Sequence, residues 1–135
     1  MKPKILIVTS IYYEEIANYL YNGSSIKLKE KGFHYHQIRV PGVFEIPIII
    51  SKFIDDYDAF IALGCAIKGE TPHFDYICNA VTNSIINIAI NNKKPIGNGI
   101  ITSLNKNQAL ERADPNKKNK GGEAATAVLS VLELF

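Results

Sequence analysis

Short apolar runs of strand length alternate with longer amphipathic runs of helix length, and this alternation constrains the fold more than any other feature of the chain. Ile5-Leu6-Ile7-Val8 is a β-branched run that reads as a buried strand. Glu14–Lys31 carries Ile16, Leu20 and Leu28 at helical spacing, and Gly32 is a natural stop. His36–Val40 reads as a second strand ended by Pro41-Gly42. Phe44–Ile54 reads as a helix, in which Pro47 fits only near the first turn. Asp58–Leu63, running into Gly64, is the third strand. Pro72–Asn91 carries the clearest helical stripe: Ile77, Ala80, Val81, Ser84, Ile85, Ile88 and Ala89 step by three and four. Pro95–Ile101 is the fourth strand, where Gly97 and Gly99 mark a close backbone approach. Asn105–Ala113 and Lys120–Leu134 read as the last two helices.

The order β-α-β-α-β-α-β-α-α predicts a four-stranded parallel sheet with helices on both faces, an α/β sandwich of three layers, because parallel neighbours need right-handed crossovers. At 135 residues, one domain spanning 1–135 is expected. Folding at this length buries roughly two-thirds of the unfolded chain's surface. Fifteen Lys and Arg against thirteen Asp and Glu leave a net charge of +2, far from the excess of a nucleic-acid binder. Lys106, Lys117, Lys118 and Lys120 make the last third locally positive, which suits either a small anion or a solvated loop. Cys65 and Cys78 form no CxxC and have no flanking His pattern for zinc. His34 and His36 alternate on a strand edge without a third ligand nearby. No apolar run approaches the roughly 20 residues that cross a bilayer. The opening MKPKILIV lacks a signal-peptide layout, so a cytoplasmic, reduced protein is expected.

In open parallel sheets, ligands bind in the crevice beyond the C-terminal ends of the strands. Unusual residues collect there: Ser10-Ile11-Tyr12-Tyr13 after strand one, Val40 to Glu45 after strand two, and Gly64 to Asp75 after strand three. Asn98 lies within strand four. Thr71-Pro72 reads as a helix N-cap and first position, whose free N–H groups favour an anion such as phosphate. His73 then falls in the first turn, where the helix dipole works against an imidazolium and leaves a proton acceptor. Read singly, His73 is better taken as an ordinary surface histidine in a helix's first turn. Glu45 either complements a helix dipole or accepts hydrogen bonds from a ligand. Phe44 reads as core, and Tyr12 as core or as an exposed stacking face. Arg112, one of only two arginines, either binds phosphate with its planar fork or pairs with Glu111 or Asp114.

Several active-site types are absent. No GxGxxG follows the first strand, and no GxxxxGK[ST] or GxSxG occurs. The segments Val40-Pro41-Gly42-Val43-Phe44-Glu45-Ile46-Pro47, Leu63 to Tyr76, Glu111-Arg112-Ala113 and Asn119 to Ala125 closely resemble the 6,7-dimethyl-8-ribityllumazine synthase family. The resemblance runs in order along nearly the whole chain.

The resemblance implies a flavodoxin-like fold and a transferase that catalyses the penultimate step of riboflavin biosynthesis. Its two substrates would be 5-amino-6-(D-ribitylamino)uracil and 3,4-dihydroxy-2-butanone 4-phosphate. It further implies no metal, no organic cofactor, and a homo-oligomer, a pentamer or an assembly of pentamers, with active sites between subunits. On that basis His73 is the proton-transfer residue, and Arg112 with Thr71 and the adjacent backbone binds phosphate. Tyr12 stacks on the pyrimidine, and Phe44 and Glu45 contact the ribityl chain. Ala66 and Ile67 offer the backbone edge that reads the uracil, and Lys120 lies on the ribityl side. Val43, Lys68, Glu70 and Asn98 complete the substrate-binding set. Asn98 and Ile11 stand where the family often has Phe and Arg, and the loop Asp114–Asn119 lacks the Gly-Asn pair of many capsid formers. The competing expectations are a non-catalytic module binding a ribityl pterin or flavin, and a structural oligomer.

Overall fold

The structure, a computed structural model, describes residues 2–70 and 73–135. Strand β1 (Lys4–Ser10) leads to helix α1 (Glu14–Glu30), β2 (His34–Val40), a 3₁₀ turn (Val43–Glu45) and α2 (Ile46–Lys52). Then follow β3 (Ala59–Ile67), α3 (Phe74–Asn92), β4 (Ile96–Ser103), α4 (Lys106–Ala113) and α5 (Lys120–Leu132). The four strands form one parallel sheet in the order β2-β1-β3-β4.

Alternation along the strands sorts the core into two layers. Ile5 and Ile7 of β1, with Ile61, Leu63 and Cys65 of β3, meet Ile16, Leu20, Ala109, Ala125 and Val128 from α1, α4 and α5. Leu6 and Val8, with Phe60 and Ala62, face the opposite way onto Ile46, Ile50, Val81 and Ile85 of α2 and α3. Every residue of β3 is buried, as a central strand covered on both faces requires. The expected three-layer α/β architecture is therefore present.

Local signals account for the boundaries. Gly32, at φ 75°, ends α1, with its N–H donating to Lys29 O and that of Phe33 to Leu28 O. Asn105 caps α4 by accepting from the Gln108 N–H, and Gln108 Oε1 accepts from the Leu104 N–H in return. Gly97 faces α5: an added Cβ would lie 2.6 Å from Ala124 O and 2.7 Å from Val128 Cγ2. The close approach read from that glycine is present.

Three expectations need correction. Gly64, Cys65, Ala66 and Ile67 belong to β3 and not to the loop after it. Gly64 is needed inside the strand, because a Cβ there would sit 2.7 Å from Val43 Cγ1. Phe44–Ile54 is a 3₁₀ turn followed by a short helix, with Pro47 in the helix's first turn and the last residue Lys52. The helix expected from Pro72 begins at Phe74, and its N-cap is His73, in the left-handed region at φ 65°. The expected N-cap role of Thr71 and the position of Pro72 lie outside the described residues.

Candidate active site

The C-terminal ends of β1, β2 and β3 open into a cleft of about 310 Å³. Tyr12 forms one wall, the segment Pro41–Glu45 another, and Cys65, Ala66 and Ile77 the floor and far side. Its position follows from topology, since β1 and β3 are central and the chain leaves each on this side.

Tyr12 is 59% exposed and Phe44 is 62% exposed, so the core reading of Phe44 does not hold. The 3₁₀ turn explains this: Val43 turns inward and is buried, and the next side chain points away. The Tyr12 ring meets Tyr13 edge-on, with centroids 4.9 Å apart and planes at 77°. Tyr13 packs on the α1 side of the core, which fixes where Tyr12 projects. The Glu45 N–H donates to Gly42 O, closing the turn that presents Phe44.

Beyond Ala66 the chain turns tightly. The Lys68 N–H donates to Ser103 O at 2.9 Å, tying the end of β3 to that of β4. Gly69 adopts φ 86°, and the Glu70 N–H donates back to Ile67 O. The side chains of Lys68 and Glu70 are exposed at the rim. His73 is exposed, its ring 6.1 Å from that of Tyr76, and its carbonyl accepts from the Ile77 N–H. Ile77 also lines the cleft, so His73 stands one helical turn from its wall.

The electrostatics of the cleft floor favour neutral groups. Burial, and then the nearby Glu70 carboxylate and Cys78, push the Cys65 thiol up to about 12, with the Arg112 charge acting in the opposite sense. A protonated thiol is a poor nucleophile, so Cys65 shapes the cleft without attacking anything in it. Burial, and then Glu70, also push the Tyr13 phenol up. Among the described residues the hydroxyls of Ser10 and Tyr13 are buried without a formed hydrogen bond. Glu70 thus lies near the Tyr13 hydroxyl while falling short of bonding geometry.

Arg112, Lys120 and Asn98, like Ile67, Lys68, Glu70 and His73, do not line the cleft. Arg112, in the last turn of α4, is exposed and donates to Thr102 O at 2.7 Å. Thr102 pairs beside Ala66, so this guanidinium sits at the same end of the sheet as the cleft. It forms no ion pair with Glu111 or Asp114; its bond is to the carbonyl. Lys120 starts α5 and approaches Glu123 at 3.3 Å. Asn98, exposed on the edge strand β4, turns its Oδ1 onto the Ile100 N–H. It stands four residues short of Thr102, roughly 13 Å down the strand.

Pro41, Gly42, Cys65 and Ile77 line the cleft without having been singled out as site residues. The first three sit inside the motif blocks, and Ile77 is the first member of the α3 stripe. A larger recess, about 1160 Å³, lies at the opposite end of the sheet. It contains none of the motif residues, so the smaller cleft is the candidate active site. Among the described residues no helix is long and apolar enough to cross a membrane.

The model of the 6,7-dimethyl-8-ribityllumazine synthase family matches residues 2–135. The 6,7-dimethyl-8-ribityllumazine synthase of Agrobacterium fabrum is 41% identical over 140 residues, spanning 98% of this chain and 95% of that protein. Those of Bartonella tribocorum and Novosphingobium aromaticivorans are 41% and 42% identical. The alignments span 98% and 97% of this chain, and 90% and 95% of those proteins.

Proposed function

The chain belongs to the 6,7-dimethyl-8-ribityllumazine synthase family, a family of transferases in riboflavin biosynthesis, and from that membership we propose the reaction and the residues that carry it. The enzyme condenses 5-amino-6-(D-ribitylamino)uracil with 3,4-dihydroxy-2-butanone 4-phosphate to give 6,7-dimethyl-8-ribityllumazine, phosphate and water. The observation that carries the reading is the family match along residues 2–135, with two of the quoted motif blocks, Val40–Pro47 and Leu63–Tyr76, supplying most of the cleft lining.

In this reading the pyrimidine stacks on Tyr12, and its polar edge meets the backbone of Ala66 and Ile67. The ribityl chain runs along Val43, Phe44 and Glu45, where the carboxylate accepts from its hydroxyl groups. Arg112, with Thr71 and the adjacent backbone, receives the phosphate end of the ketone, and Lys68 and Glu70 belong to the substrate-binding set. Lys120 and Asn98 close the ribityl side. An amine of the pyrimidine attacks the carbonyl, water leaves to form an imine, phosphate departs by elimination, and the second amine closes the ring with loss of water. Each step moves protons, and in this reading His73 takes and returns them. The protein supplies no nucleophile. Holding both reactants in register contributes up to about 7–11 kcal/mol in well-oriented cases.

The cleft is lined by the segments that follow β1 and β2, by β3 and by α3, whereas Asn98, Arg112 and Lys120 belong to β4, α4 and α5. That division supports a homo-oligomer, a pentamer or an assembly of pentamers, in which the second group completes a neighbour's cleft. We place the protein in the cytoplasm, where such substrates arise. Mixing the two substrates with the purified protein tests the function: lumazine absorbance should grow with enzyme concentration. Binding of the ribityl compound without product formation would overturn the reading.

A further inference from the structure

The recess at the N-terminal ends of the strands lies about 20 Å from the candidate active site, the length of β1. Its lining is basic: Lys2, Lys4, Lys93 and Lys94 stand there with one acidic side chain, Asp58. None of the four lysines forms an ion pair there. The Asp58 carboxylate is already engaged, accepting from the Lys4 backbone N–H at 2.8 Å.

Structural duty accounts for only two of these lysines. Lys2 Nζ donates to Lys31 O, and Lys94 Nζ donates to Ile54 O and Tyr57 O, as cations near helix ends commonly do. Lys4 Nζ donates to no carbonyl; it rests over the Tyr57 ring, 5.5 Å from its centre. Lys93 Nζ has no partner among the described residues, and Lys93 holds a left-handed backbone, φ 54°, where glycine is the favoured residue. Its backbone ends α3, a position glycine fills at less cost, while its ammonium stays free for a ligand. Leu132 and Phe135 add an apolar wall, and Phe135 is 72% exposed.

We propose that this recess is a second ligand site, binding a phosphorylated aromatic anion of nucleotide size. Its phosphates would lie between Lys4 and Lys93, and its ring system against Leu132 and Phe135. At about 1160 Å³ the recess has room for such a molecule. Lys2 and Lys94, already anchored, supply a fixed positive field at little entropic cost.

Calorimetric titration of the full chain with ADP, adenosine and pyrophosphate tests the site. ADP is expected to bind saturably, one per chain, about tenfold more tightly than either fragment. Binding should persist in Arg112→Ala, which separates it from the phosphate position of the active site. In the Lys4→Gln/Lys93→Gly double variant ADP should bind about tenfold more weakly while synthase activity stays unchanged. Lys93→Gly alone should raise the thermal midpoint, so lost binding cannot be ascribed to misfolding. The site is overturned by absence of saturable binding, by pyrophosphate matching ADP (an adventitious ion only), by loss in Arg112→Ala, or by undiminished binding in the double variant.

Discussion

Single side chains show where chemistry and packing part company. His73 occupies an exposed N-cap in a left-handed conformation instead of the first helical turn, one turn from the cleft wall. A positioned imidazole contributes about 10²–10⁴-fold to a proton-transfer step, so His73→Ala should lower kcat by roughly that lower bound and leave residual turnover from positioning. Steady-state kinetics at saturating substrates check this, and an unchanged kcat would remove His73 from the mechanism. Cys65 makes an opposite prediction. Its thiol, pushed from 9.0 to about 12 chiefly by burial, should resist iodoacetamide in the native protein at pH 8 and react on unfolding. The raised value also fixes a sign: the stability from burying the neutral thiol is present below pH 9 and is lost as pH climbs toward about 12. Rapid labelling of native Cys65 would contradict the burial argument. At this scale the sequence announces residue types well and exposure poorly. Phe44 reads as core because most aromatics are, and only the 3₁₀ turn that buries Val43 lifts it into the cleft.

The order and type of the elements were legible because strand-length and helix-length apolar periods differ so clearly here. Their ends were less so wherever packing overrides a local signal. Gly64 resembles a strand terminator, but its missing Cβ is what lets β3 pass against Val43 and Ser10, and the strand continues to Ile67. The start of α5 shows packing and capping combined. Gly121 lies against the Leu20 backbone, so close that an added Cβ would overlap Leu20 O. Ser24 Oγ donates to Gly121 O at 2.6 Å across the same contact. Asn119, at φ 51°, accepts from the Gly122 N–H and caps the helix from a left-handed position. Asn119→Ala loses that cap and retains the unfavourable φ, for a cost of about 1–2 kcal/mol. Asn119→Gly should recover part of it, because glycine accepts both the conformation and the N-cap position. Urea denaturation of the two variants reads the difference, and an alanine variant as stable as the parent would refute the capping argument.

On the scale of the whole molecule, features built from distant segments were the least legible. The basic recess draws Lys2 and Lys4 from one end of the chain and Lys93 and Lys94 from the middle, so no charge run announces it. Ile86 and Ile90 lie off the main apolar stripe of α3. They are 52% and 64% exposed, beside Ile48 at 66%. Exposed apolar side chains of this kind are what a closed ring would bury. Sedimentation at micromolar concentration should therefore show a species several times heavier than 15.0 kDa. The sharper test uses the division of the site itself. If His73 serves the cleft of its own chain and Arg112 that of a neighbour, each single alanine variant disables every site in its ring. Rings refolded from an equal mixture would join an intact cleft to an intact Arg112 at about a quarter of their interfaces, by random assembly. Activity should then return to about a quarter of the parent value on mixing two nearly inactive proteins. A mixture no more active than its components would place both residues in one subunit's site and remove the shared cleft.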